Sequence, residues 1–402
     1  MWGSQWVRVR ARGGLLAGLA LAAAGLPAAP AGASSPAGLT DTHALVIMAV
    51  DVGPVGGSPV ALSEGGHVVY RAPSPIDGQD QALLWLDGES VPLVPGAVGA
   101  SVPEAVTDQG AAAGWVSDAT GNRDPFVRRD GVTTLLPDAP GDNVATDLDD
   151  DGRVLLDRAP AGSAQGYRGS LLFKDRETPM PDVLNGVAPT ARMLGENGLV
   201  VANAFSPAQR SHAFVWRAGR TPVDLGTLGG QTTEALEVNR AGTVVGRDTT
   251  AQGEQRTFTW HRGRMTDVRT LGGAQTRQAI ASPAKPDLLN ERGDVVGTSE
   301  LPSGVLHAFL HTRGGRMLDL GTLGGATSHA YGVNDRREVV GMSETASGET
   351  DAFLWRDGVM IDLGAYVDGR DSVAAAINNQ GQVLGIRFDG SRSRPVVWET
   401  RP

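Results

Sequence analysis

The chain has 402 residues, no cysteine and a formal charge of −10, with 55 glycines and 24 prolines. The acidic balance argues against nucleic acid or an anionic membrane as a general partner. Without cysteine there is neither a disulfide framework nor a thiol nucleophile, so the fold must hold by core burial and sheet closure. Length alone allows two or three ordinary domains or one large repeat domain, and the glycine and proline content favours many short strands and turns.

In chain order, the first element is a leader. "MWGSQWVRVRARGG" carries Arg8, Arg10 and Arg12 without an acidic residue, and the apolar run "LLAGLALAAAGL" and the small residues Ala31 and Ala33 follow it. A basic start, a short apolar stretch and an A-x-A-like site describe a secretory signal peptide over 1–33. The run falls short of the about 20 residues that a membrane span requires. An uncleaved anchor is the alternative, and a twin-arginine signal is not expected because no two arginines of this leader are adjacent. The expected organisation is this signal, a short linker over 34–41 and a single domain over 42–402, secreted and monomeric, with no membrane span after cleavage.

From there the chain repeats itself. The phrase "VDLGTLGG" at Val223–Gly230 returns as "LDLGTLGG" at Leu318–Gly325, "TDVRTLGG" at Thr266–Gly273 and "VDVGPVGG" at Val50–Gly57. A turn mark of the form N-x-x-G falls at Gly66, Gly110, Gly152, Gly198, Gly242, Gly293, Arg337 and Gly381. An apolar strand ends at Trp85, Arg128, Phe173, Trp216, Trp260, His311, Trp355 and Trp398. Both series step by about 44 residues and both count eight units. Each unit reads as four short strands, as in "HAYGVN", "EVVGMSE", "DAFLWRD" and "VMIDLG". Four strands per repeat of this length describe a β-propeller blade, so the fold class is all-β, an eight-bladed propeller with seven as the alternative count. The chain stops at "RPVVWETRP", a third strand without a fourth. "MAVDVG" at Met48–Gly53 aligns with "VMIDLG" at Val359–Gly364, so the N-terminal strand is expected to complete the last blade and remove its open edge.

"SHAFVW…DLGTLGG" and "LHAFL…DLGTLGG", with "VN" or "IN" and "VVG" between them, resemble the HAF-type repeats of bacterial extracellular proteins. The resemblance is crisp from Ser211 to Trp398 and faint from Leu62 to Asn203. It implies a secreted, propeller-like protein and assigns no catalytic residue.

The candidate chemistry is sparse. "DLDDDG" starts like a calcium loop, with Asp147, Asp149 and Asp151 as alternating carboxylates, but its twelfth position is Arg158, which cannot close the ligand set. No other cofactor is expected. The repeated Asp51, Asp224, Asp267, Asp319 and Asp362 form either a cation-binding circle or loop caps that accept backbone N–H groups; their fixed place in the repeat favours caps. His307 and His311 open and close one strand, about 13 Å apart at 3.3 Å per residue, too far to share a metal. His212, His307, His311 and His329 are all expected on blade surfaces, and the tryptophan series in packing between blades. Motifs of serine hydrolases, zincins and P-loop enzymes are absent.

The variable loops, from second to third strand and from blade to blade, share one face, and Ala274–Leu288 is read as a long blade-to-blade insertion leaning over the channel mouth. That face is expected to take an unknown protein or carbohydrate ligand. The sequence-based expectation is a non-catalytic binding or cell-surface module, with an extracellular polysaccharide hydrolase or lyase sited in the channel as the alternative.

Overall fold

The computed structural model describes residues 45–401 apart from 87, 137–140, 161–165, 185, 207–209, 279–281 and 368–370. The expected signal 1–33 and linker 34–41 lie outside the described residues. Consecutive strands hydrogen-bond in order within each blade, and eight blades follow one another along the chain. Blade 1 runs Ser58–Leu62, Val68–Pro73, Asp80–Leu86 and Glu89–Pro92, from inner to outer strand; blade 7 runs Gly324–Val333, Val339–Thr345, Thr350–Arg356 and Val359–Asp362. Blades 4 and 5 are further joined by a single parallel bridge between Ser211 and Thr232.

Blade 8 has the expected composite make-up. Its own three strands are Ser372–Ile377, Gln382–Asp389 and Arg392–Arg401, and the fourth is Val46–Asp51 from the other end of the domain. The antiparallel register places Ala49 opposite Trp398 and Asp51 opposite Val396. Arg387 and Arg394 both reach the Asp51 carboxylate, at 2.8 and 3.2 Å, and fix the end of the ladder.

Two repeated glycines have different physical reasons. The turn glycines lie at φ between +73° and +86°, a conformation open to glycine at low steric cost. Arg337 holds that position in blade 7 at φ +63°. Its guanidinium compensates by pairing with Asp294 of blade 6 at 2.8 Å. The glycine of "VVG" serves packing. Inner strands carry a bulge at one equivalent place, between Ala235 and Glu237 in blade 5 and between Ala330 and Gly332 in blade 7. A Cβ on Gly246 would sit 2.2 Å from the Glu234 carbonyl oxygen and 2.5 Å from the Phe258 ring; on Gly341 it would sit 1.9 Å from the His329 oxygen. Gly246 and Gly341 are register partners of Phe258 and Phe353, so the "VVG" and "HAF" motifs are two sides of one contact.

The core lies between blades rather than in one centre. Val296, Leu310 and Val333 of blades 6 and 7 pack with Phe353, and Val340, Leu354 and Leu363 of blade 7 pack with Ala374, Val383 and Trp398 of blade 8. The tryptophans follow the packing expectation: Trp216, Trp260 and Trp398 are buried, and Trp85 and Trp355 half-buried. The Trp398 indole donates to the Leu363 carbonyl at 3.1 Å, so its burial strands no polar atom.

Deleting Val46–Asp51 would leave Arg392–Arg401 as an unpaired edge with Trp398 uncovered. The expected result is a chain that unfolds well below the wild type and aggregates, read by thermal denaturation with light scattering. A soluble, monomeric deletion with an unchanged midpoint would contradict the seam.

Candidate functional site

The first turns of the blades are tied to one another around the axis. The Asn239, Asn290, Asn334 and Asn378 side chains each accept the N–H of the residue four positions on, at 2.8–3.0 Å. Each also donates Nδ2–H to the same turn of the next blade: Asn239 to Asn290, Asn290 to Asn334, Asn334 to Asn378, and Asn378 to Ser63 of blade 1. The next residue repeats the pattern. The backbone N–H of Glu291 donates to Asp335, that of Asp335 to Asn379, and that of Asn379 to Glu64. The Glu64 N–H then donates to Asp108, that of Asp108 to Asp150, and that of Asp150 to Glu196. Asn197 donates to the Arg240 carbonyl, and the Arg240 N–H to Glu291. Burial raises Glu196 to about 7, helped by the neighbouring Asp150 and Asp149, and raises Glu64 and Asp150 as well. Sequence reading assigns the asparagine its turn-capping half; the bond to the next blade depends on the neighbour's position.

The long insertion departs from expectation. It lies inside the inner strand of blade 6 and not in a blade-to-blade loop. Thr276 pairs with Ser299 as Ser328 pairs with Ser343 in blade 7. Thr276 to Asn290 spans 14 residues against 6 from Ser328 to Asn334, an excess of 14 − 6 = 8. The strand therefore starts at Thr276–Arg277, leaves the ladder, and resumes at Leu288 and Leu289. The excursion crosses the axis. Lys285 donates its backbone N–H to Val60 on the inner strand of blade 1 at 2.8 Å. Its ammonium donates to the Thr146 carbonyl of blade 3 at 2.8 Å and lies 3.8 Å from the Asp147 carboxylate. Asp287 joins the inner strand of blade 7 through Tyr331 and Val333, and the Leu288 N–H donates to Glu237 of blade 5. Ala284 packs beside Val68 and Ala376 of blades 1 and 8. This strap meets inner strands on all sides of the channel.

Acidic side chains face it. Burial raises Glu104 although Lys285 and the indole N–H of Trp115 favour its charge. Burial raises Asp287 to about 7, with Glu64 adding to the shift, and pushes Glu237 up, with Asp287 adding. Lys285 is one of only two lysines in the chain, and its compact ammonium suits a site ringed by carbonyl and carboxylate oxygens.

The residues singled out by sequence fall in separate roles. Asp147 lies on the inner strand of blade 3 and accepts the N–H groups of Leu148 and Leu194. Asp149 and Asp151 both pair with Arg153, at 2.6 and 2.8 Å. Among the described residues, no three His, Asp or Glu side chains gather as a metal ligand set. The repeated aspartates cap loops: Asp224, Asp267, Asp319 and Asp362 accept N–H groups from Gly226, Arg269, Gly321 and Ala365. Asp51 departs from this by taking two arginines. Two of these aspartates also orient a histidine, His212 to Asp224 at 3.0 Å and His307 to Asp319 at 2.8 Å, which explains why His and Asp recur together. His329 bonds Thr298 at 3.0 Å, and His311 is partly buried with its pKa lowered by burial. Sequence reading missed Asp157. It lies buried between blades 3 and 4, accepts the Ala191 N–H at 3.0 Å, and is raised by burial to about 7.

No protein-family model and no curated protein matches the chain. Among solved structures it is similar to the β-propeller domain of the trilobed protease of Pyrococcus furiosus, at 11% identity and a TM-score of 0.50, covering 78% of this chain and 97% of that one. It is also similar to Porphyromonas gingivalis dipeptidyl peptidase 4 (11% identity, TM-score 0.52, 85% and 55% covered). A prolyl endopeptidase gives 12% identity, a TM-score of 0.53, and 85% and 54% covered. The chain thus spans about half the length of the latter two. These likenesses establish the class, a β-propeller. That the solved propellers belong to peptidases overturns the expectation of a stand-alone non-catalytic binding or cell-surface module. No helix among the described residues is long and apolar enough to cross a membrane.

Excising 279–286 would return the inner strand of blade 6 to the length of blade 7. The variant should keep its β-sheet circular dichroism but unfold at a clearly lower midpoint, because it gives up the Lys285 bonds to blades 1 and 3, whereas excising 274–288 should unfold the protein because it also removes buried Thr276, Gln278 and Leu288. The raised Asp157 binds more protons folded than unfolded, so its contribution is full below about pH 4 and is lost as pH rises through about 7. Asp157→Asn should therefore gain stability relative to wild type between pH 5 and 8, read by urea midpoints, with little difference at pH 4.

Proposed function

We propose that this chain is a peptidase-associated propeller that holds peptides at its faces and does not pass them along its axis. The likeness of its fold to propellers of a trilobed protease, a dipeptidyl peptidase and a prolyl endopeptidase supports the association. The observation that carries the mode of action is the strap: Lys285 ties blade 6 to blades 1 and 3 across the centre. An extended peptide threading the axis would have to displace those bonds and expose Asp147 and Glu104 without their cation. A rigid ring stitched at the first turns presents fixed faces instead, and variable loops on such a scaffold are where ligands bind.

The test is calorimetric titration of the full chain with unstructured peptides of varied ends, alongside a hydrolysis assay on fluorogenic peptides. Peptide binding that survives excision of 279–286 with unchanged affinity is expected, because the axis is not the route. Hydrolysis by the chain alone would place the catalytic groups on it as well. Absence of binding to any peptide would overturn the reading.

A further inference from the structure

A cleft of about 370 Å³ opens between blades 3 and 4, on the face of the first turns. Its floor is apolar, from buried Leu171 and the half-buried Phe173. Its rim is cationic, from Arg153, Arg176 and Arg217. The Phe173 ring lies 5.2 Å from the Arg153 guanidinium and 5.0 Å from the Lys174 ammonium.

These cations are not equally committed. Arg153 is neutralised by Asp149 and Asp151. Glu177, on the same outer strand as Arg176, is taken by Arg158 at 2.7 Å. Arg217 spends one N–H on the Asn197 carbonyl, and among the described residues neither Arg217 nor exposed Arg176 has a carboxylate partner. Two uncompensated guanidinium groups therefore flank an apolar floor in a chain of net charge −10. Guanidinium is planar and matches a carboxylate in two parallel hydrogen bonds. The volume lies at the small end of ligand clefts, room for one or two residues and not for a folded partner.

We propose that this cleft takes the C-terminal carboxylate of a peptide, with Arg176 and Arg217 holding the carboxylate and Leu171 and Phe173 receiving the terminal side chain. The inference rests on the peptide-handling reading above and adds the end of the peptide that is recognised. A bare anion would use the rim and leave the floor idle; an apolar side chain beside the carboxylate uses both.

The probe is acetyl-Ala-Leu, titrated into the full chain as the free acid and as the C-terminal amide at low salt. The free acid should bind at least tenfold more tightly. In the Arg176→Gln, Arg217→Gln double variant the two forms should bind within about twofold of each other, with an unfolding midpoint unchanged from wild type because both side chains are solvent-facing. Acid and amide binding alike to the wild type would sink the cleft while leaving peptide handling intact; a preference that survives in the double variant would sink it equally. Inorganic phosphate competing as well as the acid, with acetyl-Ala-Gly binding as tightly as acetyl-Ala-Leu, would make it a bare anion site and overturn the proposal. Failure of every peptide, amides included, is the separate outcome that removes the preceding section's reading.

Discussion

The pairing of Val46–Asp51 with Arg392–Arg401 is the contact on which the other features depend. Each blade buries one face on its neighbour, so a ring of blades satisfies every face only when the last blade is whole. With three strands, blade 8 would leave Trp398 short of its cover and an open row of backbone groups at the outer edge. A cysteine-free chain has no covalent substitute for that seam. The strand at the far end of the sequence supplies it, and the two arginines on Asp51 hold its register.

Once the ring is set, the first turns become an electrostatic belt. Backbone N–H groups of one turn point at side-chain oxygens of the next, and side-chain amides return the bond to the following carbonyl. The arrangement satisfies buried polar groups across blade boundaries, and it draws Glu64, Asp108, Asp150, Glu196, Glu291 and Asp335 close together. Burial raises Glu196 to about 7, with Asp150 and Asp149 adding to the shift, and burial also raises Glu64 and Asp150. The belt is thus a structural device first. The same economy explains the repeated Asp of "DLG", which caps its own loop and, at Asp224 and Asp319, also steadies a histidine on the adjoining strand.

Against this regular background, two departures from the repeat carry the functional argument. One is the eight-residue excursion within the inner strand of blade 6, which turns a channel into a crossed axis and places a lysine among acids. The other is the cationic cleft between blades 3 and 4, lined across the boundary where the faint repeat gives way to the crisp one. Arg176 and Arg217 have no repeat-wide role, and the cleft that joins them exists only because strands of one blade meet turns of the next. Sequence reading found the insertion by its length but misplaced it, since only the register of Thr276 against Ser299 shows that it interrupts a strand. It offered no signal for the cleft, whose lining residues are spread over about 65 positions.

What the amino-acid sequence determined by itself was everything that repeats: the four-strand unit, the eight blades, the turn residues that need a left-handed backbone, and the strand that closes the last blade. Repetition makes such features legible, because a physical requirement met eight times leaves the same mark eight times. Tertiary structure alone decided what occurs once. Whether a stretch bulges into the axis or outward, which carboxylates lose their water, and which arginines are left without a partner are set by neighbours brought together across the ring, and a single chain of letters does not carry those distances.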